Sequence, residues 1–188
     1  SLKTNTPLRS QHAEATTGFH VPVMLPEVME KLAPKQFGIY ADATLGGGGY
    51  SERMLASQSG SEVYGFETDP AAMDFATSRL RPFGERFHLV PENFATMRSS
   101  LAERKITQLD GIVYDLGISS HQIDTASIGL SYRVDAPLDM RLDPRLPRSA
   151  MEVVSEDSES ELRHLLRRYG EEPRAGFIAR NLLVARKS

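Results

Sequence analysis

Short apolar runs alternate with longer mixed segments along this chain, and the alternation predicts its elements. Ile39 to Leu45 is an extended run that stops at Gly46-Gly47-Gly48-Gly49. Val63-Tyr64-Gly65-Phe66 is a second run of buried-strand character, closed by Glu67-Thr68-Asp69-Pro70. Phe87 to Val90 supplies a third, and Gly111-Ile112-Val113-Tyr114 a fourth that ends at Asp115-Leu116-Gly117. The spacing predicts helices between them: roughly two turns from Ser51, then Pro70 to Leu80, then Phe94 to Arg104. Ahead of these, Val21 to Val23 reads as a short β segment and Pro26 to Leu32 as a helix with proline tolerated in its first turn. Strands alternating with helices in this way predict an α/β fold, a parallel sheet of right-handed βαβ units with helices on both faces.

After Pro137 the pattern becomes helical. Ser158 and Glu161 form a candidate capping box, and Leu162, Leu165, Leu166 and Tyr169 recur at helical spacing. A second helix is expected to carry Ile178, Leu182 and Ala185 on one side. Ser1 to Gly18 has no hydrophobic period and reads as a flexible arm. Its acid-poor, hydroxyl-rich composition suggests the remainder of an organelle-targeted precursor, which would place the protein in the mitochondrion, with the cytoplasm as the alternative.

Composition narrows the chemistry. The 188 residues are 40% hydrophobic and 25% charged, an ordinary globular balance that disfavours collagen-like, disordered and coiled-coil readings. No apolar run approaches the ~20 residues a membrane-spanning helix needs. The absence of cysteine excludes disulfides, thiolate zinc sites and cysteine nucleophiles. His12, His20, His88, His121 and His164 lack zinc-ligand spacing, so no metal is expected. The net charge of −3 hides a local excess of cations in Arg163, Arg167, Arg168, Arg174, Arg180, Arg186 and Lys187, a natural complement to RNA phosphates or simply a solvated helical face.

Open α/β sheets bind ligands at the carboxyl ends of their strands, and four candidate features collect there. The glycine run lets backbone approach a ligand closely. Glu67 stands near the ~20-residue distance at which nucleotide-binding units place an acid for ribose hydroxyls, which serves NAD and S-adenosylmethionine equally. Phe94 offers a ring for an adenine, with core packing as the competing role. Asp115, between a buried strand and a glycine turn, is expected to face the cleft. Gly46-x-Gly48-x-x-Ser51 nearly satisfies the dinucleotide fingerprint, but Ser51 replaces its last small residue.

Five ordered motifs then resemble one family: His20-Val21-Pro22-Val23-Met24-Leu25-Pro26-Glu27, Asp42-Ala43-Thr44-Leu45-Gly46-Gly47-Gly48-Gly49, Asp110 through Ser120, Pro137-Leu138-Asp139-Met140-Arg141 and Tyr169-Gly170-Glu171-Glu172. The chain is similar to the MraW/RsmH-type small-subunit ribosomal RNA cytosine-N4 methyltransferases. The resemblance implies a Rossmann-like class I methyltransferase core over 19–124, interrupted after its fourth strand by a mostly helical substrate domain over 125–188. It implies S-adenosylmethionine as cofactor, held by Gly46, Gly48, Gly49, Tyr50, Glu67, Phe94, Asp115 and Gln122. Asp115, Ser119 and Ser120 become candidate catalytic groups. Arg133, Arg141, Arg163, Arg167 and Arg174 become candidate RNA contacts. Implied partners are small-subunit ribosomal RNA, the precursor small subunit and its assembly proteins, with homo- or hetero-oligomers possible.

The chain departs from the family pattern at three places. Tyr50 stands where the family usually has His, Glu67-Thr68 where it has Asp-Arg, and Ile128 where it has Arg. The alternative to an active enzyme is therefore a catalytically impaired factor on the same fold, acting structurally in small-subunit assembly. An NAD-linked enzyme is the third reading. A sheet of four strands also leaves an edge to be covered, so the chain is expected to work within a larger assembly.

Overall fold

The computed structural model describes residues 22, 24–118, 122–123, 125 and 128–186. The arm Ser1 to Gly18, Val21 and Val23 of the expected β segment, and Ser119 and Ser120 lie outside the described residues. Helix α1 (Leu25–Leu32) leads into β1 (Ile39–Asp42), α2 (Gly49–Ser57), β2 (Glu62–Phe66), α3 (Pro70–Leu80), β3 (Phe87–Val90), α4 (Met97–Glu103) and β4 (Gly111–Val113). All strand pairs are parallel, in the order β3-β2-β1-β4. The sheet grows outward from β1 to β3 and then crosses to the other side of β1, so the reversal falls between β1 and β4. That junction is where such sheets open a crevice.

Alternation along the strands divides the core into two layers. Tyr40 and Val63 pack with Met54, Leu55, Ala76 and Leu80 from α2 and α3, and α1 joins this layer through Leu25, Val28, Met29 and Leu32. Ala41, Tyr64 and Val90 face the other way, onto Met97 and Leu101 of α4. Met54 and Leu55 are fully buried, and side chains of this size contribute roughly 1.5–3 kcal/mol each when removed from water. Helix α3 begins at Pro70 because Asp69 caps it, accepting the Ala71 N–H at 2.9 Å, while proline needs no partner in the first turn. The expected Phe94 to Arg104 helix is a 3-10 turn over Phe94–Thr96 followed by α4. The two outer strands are β3 and β4, and Ile112 within β4 and Tyr114 just past it are exposed.

Past β4, the described residues include the helices α5 (Ala150–Glu156), α6 (Glu159–Gly170) and α7 (Ala175–Ala185). Two successive capping boxes start α5 and α6, at Ser149/Glu152 and Ser158/Glu161. On α6 Leu162 is buried, yet Tyr169, read from sequence as part of the apolar face, is 78% exposed. On α7 the buried positions are Ala175 and Ala179.

The stretch from Pro137 to Ser149 is not helical, contrary to expectation. Pro137, Pro144 and Pro147 interrupt it, and local side-chain bonds replace a helical ladder. Its ends meet: Ala150 N–H donates to the Asp139 carbonyl and Met151 N–H to that of Leu138, both at 2.7 Å. The result is a compact Ω-type loop. Inside it, Arg141 donates twice to the Asp139 carboxylate, at 2.7 and 2.8 Å, and once to the Leu146 carbonyl at 2.7 Å. One turn upstream, Gly129 has a φ of +70°, and a Cβ there would stand 2.1 Å from the Pro137 carbonyl oxygen. Gly129→Ala is therefore expected to cost about 2 kcal/mol or more, read as a lowered urea midpoint, because backbone and not a flexible side chain blocks the new methyl.

Candidate active site

A cleft of about 990 Å³ opens at the carboxyl ends of the strands, bounded by the glycine loop after β1, the exits of β2, β3 and β4, and the Ω loop. Of the eight residues expected to hold a cofactor, Gly46, Gly49, Tyr50, Glu67, Phe94, Asp115 and Gln122 line it. Gly48 does not. It sits beneath the loop with a φ of +77°, and a Cβ there would press on Leu80 at 3.1 Å. Its role is to turn the chain into α2, for which it is the N-cap.

The loop is held from three sides. From β1, the fully buried Asp42 accepts the Ser51 hydroxyl at 2.7 Å and the Thr44 N–H at 3.3 Å. From α3, Arg79 pairs with Glu52 at 2.8 Å and donates to the Gly47 carbonyl at 3.1 Å. From β2, Glu67 accepts the Gly46 N–H at 2.9 Å, and also the N–H groups of Thr68 and Asp69 at 2.7 and 2.9 Å. A carboxylate offers about four acceptor sites, so three are already engaged and about one remains for a ligand hydroxyl. The sequence-based expectation that Glu67 takes both hydroxyls of a ribose is thereby narrowed.

Burial pushes the Asp42 carboxyl up to about 6, against the opposing hydrogen bonds from Ser51 and Thr44. Burial, followed by the charges of Asp115, Asp42 and Glu27, also pushes the Tyr50 phenol up, which keeps it a neutral hydrogen-bonding group. Phe94 meets Tyr114 edge to face, with ring centres 5.6 Å apart, leaving it half-buried at the cleft wall. Asp115 is exposed in the cleft, and its backbone N–H donates to the Thr44 hydroxyl at 2.7 Å.

Sequence reasoning missed the far wall. Met140, Leu142, Leu146 and Val153 line it, with Arg141 and Arg148 at the polar end. Arg145 pairs with Asp143 at 2.8 Å and donates to the Pro91 carbonyl at 2.9 Å, tying the Ω loop to the exit of β3. The visible signal was the doubled Asp-x-Arg at Asp139/Arg141 and Asp143/Arg145. Arg141, expected to contact RNA, has its guanidinium engaged by Asp139 and Leu146. Asp139 is in turn held down to about 2, chiefly by the hydrogen bonds from Arg141.

The cations of the helical region separate into two sets. Arg148 pairs with Asp157, Arg180 with Glu159, and Arg186 donates to the carbonyls of Val154 and Asp157. Arg163, Arg167 and Arg168 on α6, and Arg133 and Arg174, are exposed and have no acidic partner for their side chains among the described residues. No group of three or more His, Asp or Glu suited to a metal occurs among the described residues.

A parallel sheet in this order, with a glycine loop after β1 and an acid after β2, is a Rossmann-like α/β fold. The model of the MraW methylase family matches residues 17–188, and the chain belongs to that family. It is similar to ribosomal RNA small subunit methyltransferase H of Syntrophus aciditrophicus, 47% identical over 175 residues, covering 93% of this chain and 56% of that protein. The proteins of the same name from Geobacter sulfurreducens and Limosilactobacillus fermentum are each 45% identical, covering 89% of this chain and 54% of their own length. The chain thus spans about half the length of the curated relatives it matches.

Proposed function

We propose that this chain supplies the cofactor cleft and part of the target surface of an S-adenosylmethionine-dependent methyltransferase acting on small-subunit ribosomal RNA, with the N4 amino group of a cytidine as acceptor. One observation carries this reading: a glycine loop, a carboxylate fixed by three backbone N–H groups, an aromatic wall and Asp115 converge in one cleft at the strand ends. The donor set fits the cofactor. Glu67 has acceptor capacity left for a ribose hydroxyl, Phe94 offers an apolar face to a purine, and the backbone at Gly46 borders the cleft without a side chain in the way, while Gly49 packs against the Pro22 ring.

When bound, S-adenosylmethionine supplies a methyl group on a sulfonium. The chain's own task is positional. Asp115 accepts a hydrogen bond from the exocyclic amino group, drawing its lone pair out of conjugation and aiming it along the line of attack, and the Ser119-Ser120 loop stands next to it in sequence. Addition of a cysteine thiolate at the pyrimidine ring, the usual route to C5 methylation, is not open to a stretch without cysteine. Arg163, Arg167, Arg168, Arg133 and Arg174 are the cations left over for phosphates. Incubating the protein with methyl-labelled cofactor and small-subunit particles, then digesting to nucleosides, tests the reading, with labelled N4-methylcytidine expected. Calorimetric binding of NAD in preference to S-adenosylhomocysteine would overturn it, and binding of the cofactor without transfer would favour the structural factor.

The RNA surface has its own signature. Affinity for small-subunit rRNA fragments is expected to fall with added salt, and Arg163→Gln with Arg167→Gln to reduce the log–log salt slope by about 2, since each phosphate contact accounts for roughly one unit. An unchanged slope would remove α6 from the interface.

A further inference from the structure

We propose that Thr44 is a positioning residue for Asp115: its hydroxyl replaces the last rung of the β1–β4 ladder and so sets where the Asp115 carboxylate stands in the cleft. This rests on the role given to Asp115 above. It adds a residue that touches none of the reacting atoms.

The argument begins with strand register. Ala41 lies opposite Ile112 and Asp42 opposite Val113. The pairing continues one step, because Ala43 N–H donates to the Val113 carbonyl at 2.8 Å. In a parallel ladder the next bond runs back from the residue two further along the partner strand, which is Asp115, to the same residue of the first strand, Ala43. Asp115 N–H does not make that bond. It donates to the Thr44 Oγ1 at 2.7 Å, across 71 positions of sequence. The strands therefore separate one residue after their last backbone bond, and a side chain bridges the gap at the point where the sheet order reverses.

The bridge is itself anchored. Thr44 N–H donates to the Asp42 carboxylate, which is fully buried and also accepts the Ser51 hydroxyl from the first turn of α2. A continuous chain of contacts then runs from the floor of the glycine loop through Thr44 to the backbone of Asp115. Few residue types suit position 44. Valine matches threonine in shape and has no acceptor. Serine keeps the acceptor and gives up a methyl group. The Asp115 residue is exposed, so on loss of the hydroxyl water takes over its N–H and the backbone at Asp115 is no longer tied to the end of β1.

The test compares Thr44→Val, Thr44→Ser and the parent in the full chain, with two readouts. Amide hydrogen exchange at Asp115 reports the bond directly and needs no activity. It is expected to accelerate at least tenfold in Thr44→Val and to return to within about threefold of the parent in Thr44→Ser, because only the valine lacks the acceptor. Methyl transfer to small-subunit particles, with S-adenosylhomocysteine affinity measured alongside, is expected to follow the same order: a loss of tenfold or more in the valine variant and near-parental behaviour in the serine variant. An Asp115 amide that exchanges equally in all three proteins overturns the proposal. So does an amide released by valine while transfer and affinity both stay within twofold of the parent. A parent that neither binds the cofactor nor transfers a methyl group overturns the proposed function instead, and the exchange rates then still decide whether Thr44 sets the position of Asp115.

Discussion

Glu67→Ala is expected to lower affinity for S-adenosylhomocysteine by ten- to a hundredfold and to destabilise the protein at the same time. The first effect follows from losing the carboxylate that faces the cleft at the end of β2, where a charged hydrogen bond is worth roughly 1.5–3 kcal/mol. The second follows from what else that carboxylate holds. Gly46, Thr68 and Asp69 all donate to it, so truncation leaves three N–H groups seeking water in a partly enclosed loop. Glu67→Gln separates the two effects, since its amide keeps one acceptor oxygen and the side-chain length. Calorimetry for the ligand and urea denaturation for the fold measure them independently. Parental affinity in Glu67→Ala would remove the acid from the binding site, and parental stability would show that the loop finds other acceptors.

The second large effect is a pH dependence. Asp42 has its carboxyl raised to about 6 by burial, from an ordinary value of 3.8. In the unfolded chain the group ionises near pH 4, whereas the folded protein gives up the proton only near pH 6. Between those values the unfolded chain binds fewer protons, so stability falls as pH rises through the window and stays lower above it. A shift of about two units corresponds to about 3 kcal/mol. Carboxyls held low by hydrogen bonds, among them Glu92, Glu152, Glu161 and Asp139, act in the opposite sense, but their stabilisation is lost only as pH falls below the ordinary carboxylate range. Urea unfolding between pH 4.5 and 7.5, measured against Asp42→Asn so that the contributions of these glutamates cancel, therefore isolates Asp42. Stability relative to Asp42→Asn is expected to decline across that interval, and a constant difference would show that Asp42 is ionised throughout.

The elements legible in the sequence were those whose cause is local. Helix α3 spans Pro70–Leu80 as expected because Asp69 caps it and Pro70 fits its first turn, two signals contained in adjacent residues. The Ser158/Glu161 box was legible for the same reason, and the identical Ser-x-x-Glu pattern at Ser149 and Glu152 would have located the start of α5. The Ω loop was misread as helix, since its order comes from Asp-x-Arg pairs and closing backbone bonds that no periodicity describes. Among site residues, those ending strands were found because strand ends are visible as apolar runs that stop. Thr44 was not, because its bond depends on β1 lying beside β4, a neighbour relation that chain order does not state. Arg141 was visible as a charge while its partner two residues away went unweighed.

The self-closure of the Ω loop bears on the entropy of ligand capture. Ordering a flexible segment costs roughly 1–2 kcal/mol per residue, and a lid that folds only around its ligand subtracts that sum from affinity. Here the loop between Asp139 and Ala150 is ordered by bonds within itself, and Arg145 fastens its tip to the Pro91 carbonyl. A ligand entering the cleft meets a wall whose conformational freedom has already been spent in folding, so its contacts with Met140, Leu142 and Leu146 add to affinity without that deduction.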